Sequence, residues 1–176
     1  MFEAIKNVFK IKELKDRIVF TAIILFLERI GTFIVTPGVN SEVLAVAMQN
    51  QSGLGQLYDL FTGGAFSQAA IFSCGIMPYI SASIIIQLLG TAVPYFQKLQ
   101  KDGEDGRRKI SQMTRYGTLL IAGVQASGIA IYLSTLTVPG SATPVATGGM
   151  SFIILTIITM SSGTLLIMWL GEQITD

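Results

Sequence analysis

The sequence predicts an all-α polytopic membrane protein, and three observations lead there. Of its 176 residues, 51% are hydrophobic and only 13% charged, against about 25% charged in an ordinary soluble domain. Several apolar runs approach the roughly 20 residues needed to cross a bilayer core. The charges between the runs are segregated. Lys6, Lys10, Lys12, Lys15 and Arg17 precede the first run, and Lys98, Lys101, Arg107, Arg108, Lys109 and Arg115 lie between the second and third. The stretches 37–64 and 137–150 hold no Lys or Arg. Loops rich in Lys and Arg stay cytoplasmic. The N-terminus and the second-to-third connection are therefore expected inside, and the other two connections outside. That order implies four transmembrane helices.

Residues 1–17 place Phe2, Ile5, Phe9 and Ile11 or Leu14 at rough helical spacing beside lysines. The segment reads either as an amphipathic helix on the cytoplasmic membrane surface or as a flexible basic tail. The first span is 18–36. No signal-peptide cleavage pattern precedes it, so it reads as a retained anchor. Glu28 and Arg29 fall in its outer third, where charges are costly. They read as a packing or snorkelling pair before they read as a transport site.

The external loop 37–66 opens with Pro37-Gly38. It carries Leu54, Leu57, Tyr58 and Phe61 at i, i+3, i+4, i+7 spacing, a short one-sided apolar helix. Gly63 and Gly64 can end it with a left-handed cap. On the residues alone, that helix is expected to lie on the outer leaflet.

The second span, 67–94, is interrupted. Gly75 and Pro78 stand near its middle, and Pro78 removes a donor and crowds the carbonyl of Cys74, so a helix there must break or kink. A freed carbonyl is costly in lipid unless protein or a wet cavity satisfies it. Ile76, Ile80 and Ile84 form one branched-aliphatic stripe, which on periodicity alone reads as a packing face. Gly75, Ser81, Ala82 and Ser83 offer small surfaces for close helix approach.

The basic loop 95–112 has turn signals at Asp102-Gly103 and Asp105-Gly106, and its cations suit anionic lipid or an anionic macromolecule. The third span, 113–136, holds Gly117, Gly123, Ser127 and Gly128 for tight packing, with Gln125 as a buried polar group. The external loop 137–150 is rich in Pro, Gly, Ser and Thr. The fourth span, 151–171, has Phe152 and Trp169 near its ends as interfacial anchors. Residues 172–176 read as the start of a cytoplasmic loop in an incomplete chain.

Catalytic readings are weak. There is no histidine, and no lysine within a span to serve a serine nucleophile such as Ser162. No phosphate-binding glycine loop or metal-ligand cluster is visible, and Cys74, the only cysteine, reads as a packed thiol. The chain is read as a non-enzyme with no cofactor. A broken helix with an aliphatic stripe suits a gated pathway, because branched apolar side chains at a constriction exclude water and ions by dewetting. The alternative is half of a secondary transporter, with a solute site at the broken helix. Such a site needs polar groups at the break, where this chain has Ile76, Met77 and Ile80.

The string FTGGAFSQAAIFSCGIMPYISASIIIQLL resembles the plug and second helix of the SecY family, the central subunits of bacterial protein-translocation channels. DGEDGRRKISQMTRYGTLL, MWLGEQITD and RIGTFIVTPGVN carry the resemblance through almost the whole chain. Cys74 and Thr62 depart from the commoner family residues without altering the backbone logic. The resemblance implies a ten-helix fold in two pseudo-symmetric halves, of which this chain would supply helices one to four. It implies pore-ring roles for Ile76 and Ile80. Leu57, Tyr58, Phe61, Gly63 and Gly64 would belong to a plug that folds back into the protein, with Phe61 shielded near Ile76 and Ile80. Ser81, Ile84, Ile85 and Gln87 would line a lateral gate. Arg107, Arg108 and Lys109 would face cytoplasmic partners. The partners implied are the rest of the subunit, the small subunits SecE and SecG, the motor ATPase SecA or the ribosome, signal sequences and nascent chains, and the lipid of the bacterial cytoplasmic membrane.

Overall fold

The structure is a computed structural model that describes residues 12–49, 54–137 and 144–175, so the amphipathic segment 1–11 lies outside the described residues. Among the described residues seven helices follow in order: α1 Lys12–Gly31, α2 Ser41–Gln49, α3 Leu54–Phe61, α4 Met77–Ala92, α5 Pro94–Lys101, α6 Gly103–Thr135 and α7 Gly149–Thr175. Isolated bridges join Val35 to Ala70, Val39 to Ala146 and Thr137 to Pro144.

By length and hydropathy α6 and α7 can each cross a membrane, and α4 with α5 passes as a third unit, bent by 99°. The bend has a local cause. Val93 precedes Pro94 and is extended, with φ −109° and ψ 122°, because a proline disfavours helical backbone in the residue before it. α5 then folds back beside the start of α6, where a Cβ on Gly106 would collide with the Leu99 carbonyl.

Several predicted boundaries shift. The first span was expected over 18–36, but α1 stops at Gly31. The chain then turns so that Thr36 N–H donates to the Ala69 carbonyl and Ile71 N–H to that of Ile34, both at 2.9 Å. α2 was not foreseen in the loop 37–66. Asn40 caps it, its Oδ1 accepting the amides of Glu42 and Val43 at 3.1 and 3.3 Å. The predicted loop 95–112 is largely helical, and α6 begins at Gly103 rather than near Met113. At 33 residues α6 is about 50 Å long, against a bilayer core of about 30 Å. Helix α7 runs on to Thr175, through the stretch predicted as a loop from 172.

α6 packs chiefly on α7 and then on α4. Five of its buried residues, Thr114, Thr118, Ala122, Ala126 and Ala130, recur every four positions and are followed by the larger Leu133, so a narrow stripe of mostly small side chains makes most of its buried face. The predicted glycines do little of this. A Cβ on Gly123 or Gly128 would meet nothing, and one on Gly117 would make only a 3.4 Å contact with Ala82. Leu44, Cys74, Leu133, Val145, Phe152 and Met160 form the larger apolar cluster.

Candidate functional site

The second span is not a helix with a kink. Residues 62–76 run as consecutive turns, and α4 starts only at Met77. Gly75 takes a left-handed φ of 56°, Ile76 is the N-cap, and Pro78 sits in the first turn. There its missing donor costs nothing, because the first N–H groups of a helix have no intrahelical partner. The proline therefore starts a helix instead of breaking one.

That start orients the whole of α4. Pro78, Ala82 and Gly90 are buried, one small-residue stripe turned inward. Ile76, Ile80, Ile84 and Leu88 lie two positions away from that stripe, about 200° around the helix. Their exposures are 50%, 40%, 51% and 62%. Ile85 is exposed as well, Ser81 is half-buried, and the exposed Gln87 donates to Ser83 Oγ at 3.0 Å.

Two hollows meet at Ile76. One, of about 480 Å³, is lined by Ile76, Tyr79 and Ile80, by Ser111 and Arg115 of α6, and by Glu172 of α7. Arg115 and Glu172 pair in bidentate fashion, Nε to Oε1 at 3.0 Å and Nη2 to Oε2 at 2.7 Å. The other hollow, of about 450 Å³, lies between Arg29 of α1, Phe61 and Gly63 beyond α3, and Gly75 and Ile76.

The segment at the second hollow is tightly folded. Gly63 and Gly64 have φ of 63° and 88°. Gly64 N–H donates to the Asp59 carbonyl at 3.0 Å and Gly63 N–H to that of Leu60 at 3.4 Å, the paired bonds of a Schellman cap. Asp59 Oδ1 accepts the Ser67 amide at 2.8 Å. Ser73 Oγ, fully buried, lies 2.9 and 2.6 Å from the carbonyls of Ala65 and Ala70. Tyr58 meets Phe66 edge-on at 5.0 Å, and Phe66 stacks on Tyr132 of α6 at 6.5 Å. Burial, and after it the neighbouring Cys74, pushes the Tyr58 phenol up to about 12, so it stays neutral.

The structure therefore brings Ile76, but not Ile80, to the hollow lined by the end of the α3 segment. The C-terminal end of α3 lines the hollow beside Gly75 and Ile76. Phe61 was expected to be shielded; within this chain it lines that hollow but is 71% exposed, because nothing among the described residues covers its outer side. Ile84, Ile85 and Gln87 line neither hollow, and Arg107, Arg108 and Lys109 are exposed on the first turns of α6, apart from both. Sequence reasoning missed the Arg115–Glu172 pair, whose partners are 57 positions apart. It flagged Arg29 as a costly charge but not its contact, a 2.6 Å hydrogen bond to the Gly63 carbonyl.

The family model of SecY matches residues 70–176. The chain is 48% identical over 165 residues, 93% of its length, to the protein translocase subunit SecY of Escherichia coli K12, of which it spans 37%. It is equally similar to the SecY subunits of Buchnera aphidicola subsp. Acyrthosiphon kondoi, of which it spans 46%, and Rickettsia conorii, of which it spans 38%. These relatives give the transporter-half alternative no support. The chain thus spans less than half the length of these relatives, and by the family model, which matches more than half of it, it belongs to the SecY family.

Proposed function

We propose that this chain forms the first four membrane helices of a protein-conducting channel, within a ten-helix, two-half subunit of the bacterial cytoplasmic membrane. α1 would be the first span, and residues 66–92 together the second, a turn-rich half followed by α4. The N-terminus and α5 would be cytoplasmic, as the Lys and Arg distribution supports. Unfolded secretory chains would pass along the pore, and membrane segments would leave past Ser81, Ile84, Ile85 and Gln87. Ile76 and Ile80 would contribute to a pore ring, the α3 segment with Leu57, Tyr58, Phe61, Gly63 and Gly64 would be the plug, and Arg107, Arg108 and Lys109 would meet SecA or the ribosome. SecE, SecG and the rest of the subunit would complete the assembly. No covalent step is assigned to the chain.

One observation carries this reading: the open aliphatic stripe of α4, with Ile76 standing between two hollows and a capped, glycine-hinged segment closing over it. A branched-aliphatic constriction excludes ions by dewetting and gives a passing polypeptide no specific bonds. The test is single-channel conductance of the full complex carrying Ile76→Ser and Ile80→Ser. Both side chains are about half exposed in this chain, so folded yield should hold while ion leak rises. Normal yield with no added leak defeats the pore-ring assignment.

A further inference from the structure

We propose that Arg29 is a positioning residue, a latch from α1 that holds the α3 segment over the pore helix and must let go when that segment moves. The inference rests on the channel reading above. Arg29 lies in the last turn of α1, where the carbonyl end of its own helix attracts a cation. Its Nη1 instead donates to the Gly63 carbonyl at 2.6 Å. The guanidinium is steadied by the Phe33 ring, 5.1 Å from the ring centre, and the one ion pair among the described residues is elsewhere, between Arg115 and Glu172.

Apart from this bond the segment is held by packing, through Tyr58 against Phe66 and the buried Thr62. Leu57, Leu60 and Phe61 are 57%, 77% and 71% exposed, so these three side chains bury little. Among the described residues, every other hydrogen bond of Asp59–Gly64 stays within the stretch 54–67. Those bonds travel with the segment and do not resist its displacement. Among the described residues the Arg29 bond is the one hydrogen bond that ties it to another helix, and a bond from a charged donor is roughly twice as strong as a neutral one. It also falls on the hinge: Gly63 and Gly64 both hold left-handed φ, the conformation a glycine enters and leaves without side-chain strain. Swinging the segment about these two glycines carries the Gly63 carbonyl away from Arg29.

The experiment uses the full-length subunit, assembled with its partner subunits in proteoliposomes, with Phe61→Cys as a reporter on a Cys74→Ser background. Ion leak and thiol labelling of position 61 are both measured. Arg29→Gln should raise both by about ten- to hundredfold, the loss of one charge-assisted bond. Arg29→Lys, which keeps the charge and one donor, should restore most of the difference, and Phe33→Leu should give a smaller rise. If Arg29→Gln keeps wild-type leak and labelling while Ile76→Ser with Ile80→Ser leaks, the latch is wrong and the channel reading stands. If neither set leaks, the channel reading falls and the latch falls with it. Should Arg29→Gln fail to assemble, Phe33→Leu decides, and unchanged leak and labelling in that variant overturn the latch.

Discussion

The α6–α7 interface and the outer face of α4 follow the same four-residue period and have opposite fates. On α6 the stripe is Thr114, Thr118, Ala122, Ala126 and Ala130, and all of it is buried. On α4 it is Ile76, Ile80, Ile84 and Leu88, and all of it is exposed. Hydrophobicity would rank them the other way. In a bilayer, however, lipid tails are as apolar as leucine, so association depends on close approach, which small residues allow and branched ones prevent. The threonine hydroxyls remain compatible with burial because they bond back along their own helices, Thr114 to the Ile110 carbonyl at 3.0 Å and Thr118 to that of Thr114 at 2.7 Å. Small side chains, alanine and threonine, line the buried face, and large aliphatic ones are left for whatever occupies the open side.

The strongest way to break this comparison is to change side-chain volume at a closely packed glycine and on the open stripe. A Cβ on Gly163 of α7 would collide with the Ile71 carbonyl, backbone that cannot step aside cheaply. Gly163→Val is expected to cost about 3 kcal/mol through overpacking. Ile84→Val, on the open stripe, should stay within about 0.5 kcal/mol, as surface substitutions do. Thermal unfolding of the two purified full-length variants decides, and equal losses would mean that the α4 stripe is packed after all.

A second change probes the joint between the two regions. Ser73 is fully buried and sits against the carbonyls of Ala65 and Ala70, tying the turn-rich half of the second span to itself. Ser73→Ala removes the one hydroxyl proton that those carbonyls share, while each keeps a backbone amide donor, at an expected cost of about 0.5–1.5 kcal/mol. Amide hydrogen exchange should rise through residues 65–75 and not in α6. A rise spread evenly over both would show that the joint is not a separate unit.

Composition and charge pattern made the helical membrane class legible, and the residues of the candidate site were identified before their geometry. The residues that misled did so for local reasons. Pro78 looks alike in a sequence whether it breaks a helix or begins one; the difference is made by the left-handed Gly75 just before it. Gly123 and Gly128 advertise close packing, but the stripe that packs is the alanine and threonine one beside them. The amphipathic α3 reads as a surface helix, because nothing in its own residues announces a carbonyl acceptor for Arg29.

Ala69 offers a smaller test, in the opposite direction. It holds a left-handed φ of 45° while 1% exposed, the one non-glycine with positive φ among the described residues, and its carbonyl is the acceptor for Thr36 N–H. A Cβ is strained in that conformation. Ala69→Gly should stabilise by about 0.5–1 kcal/mol once the added freedom of the unfolded chain offsets part of the relief. A loss of stability on melting would mean that packing of the Ala69 methyl outweighs the strain.

The smallest expected effect sharpens the comparison most finely, because it sits where the packed pair opens into the first hollow. Arg115 and Glu172 clasp α6 to α7 there, with side chains 50% and 21% exposed. If that end of the interface faces water, the pair behaves as a surface ion pair despite its bidentate geometry. A double-mutant cycle of Arg115→Gln and Glu172→Gln should then give a coupling of about 0.5 kcal/mol. The coupling should shrink in 1 M salt, where the screening length falls to about 3 Å. A coupling above about 2 kcal/mol, insensitive to salt, would require a pair removed from water in the assembled protein. The hollow beside Ile80 would then be filled by another element rather than open, and the contrast between a closed α6–α7 face and an open α4 face would hold for this chain alone and not for the complex.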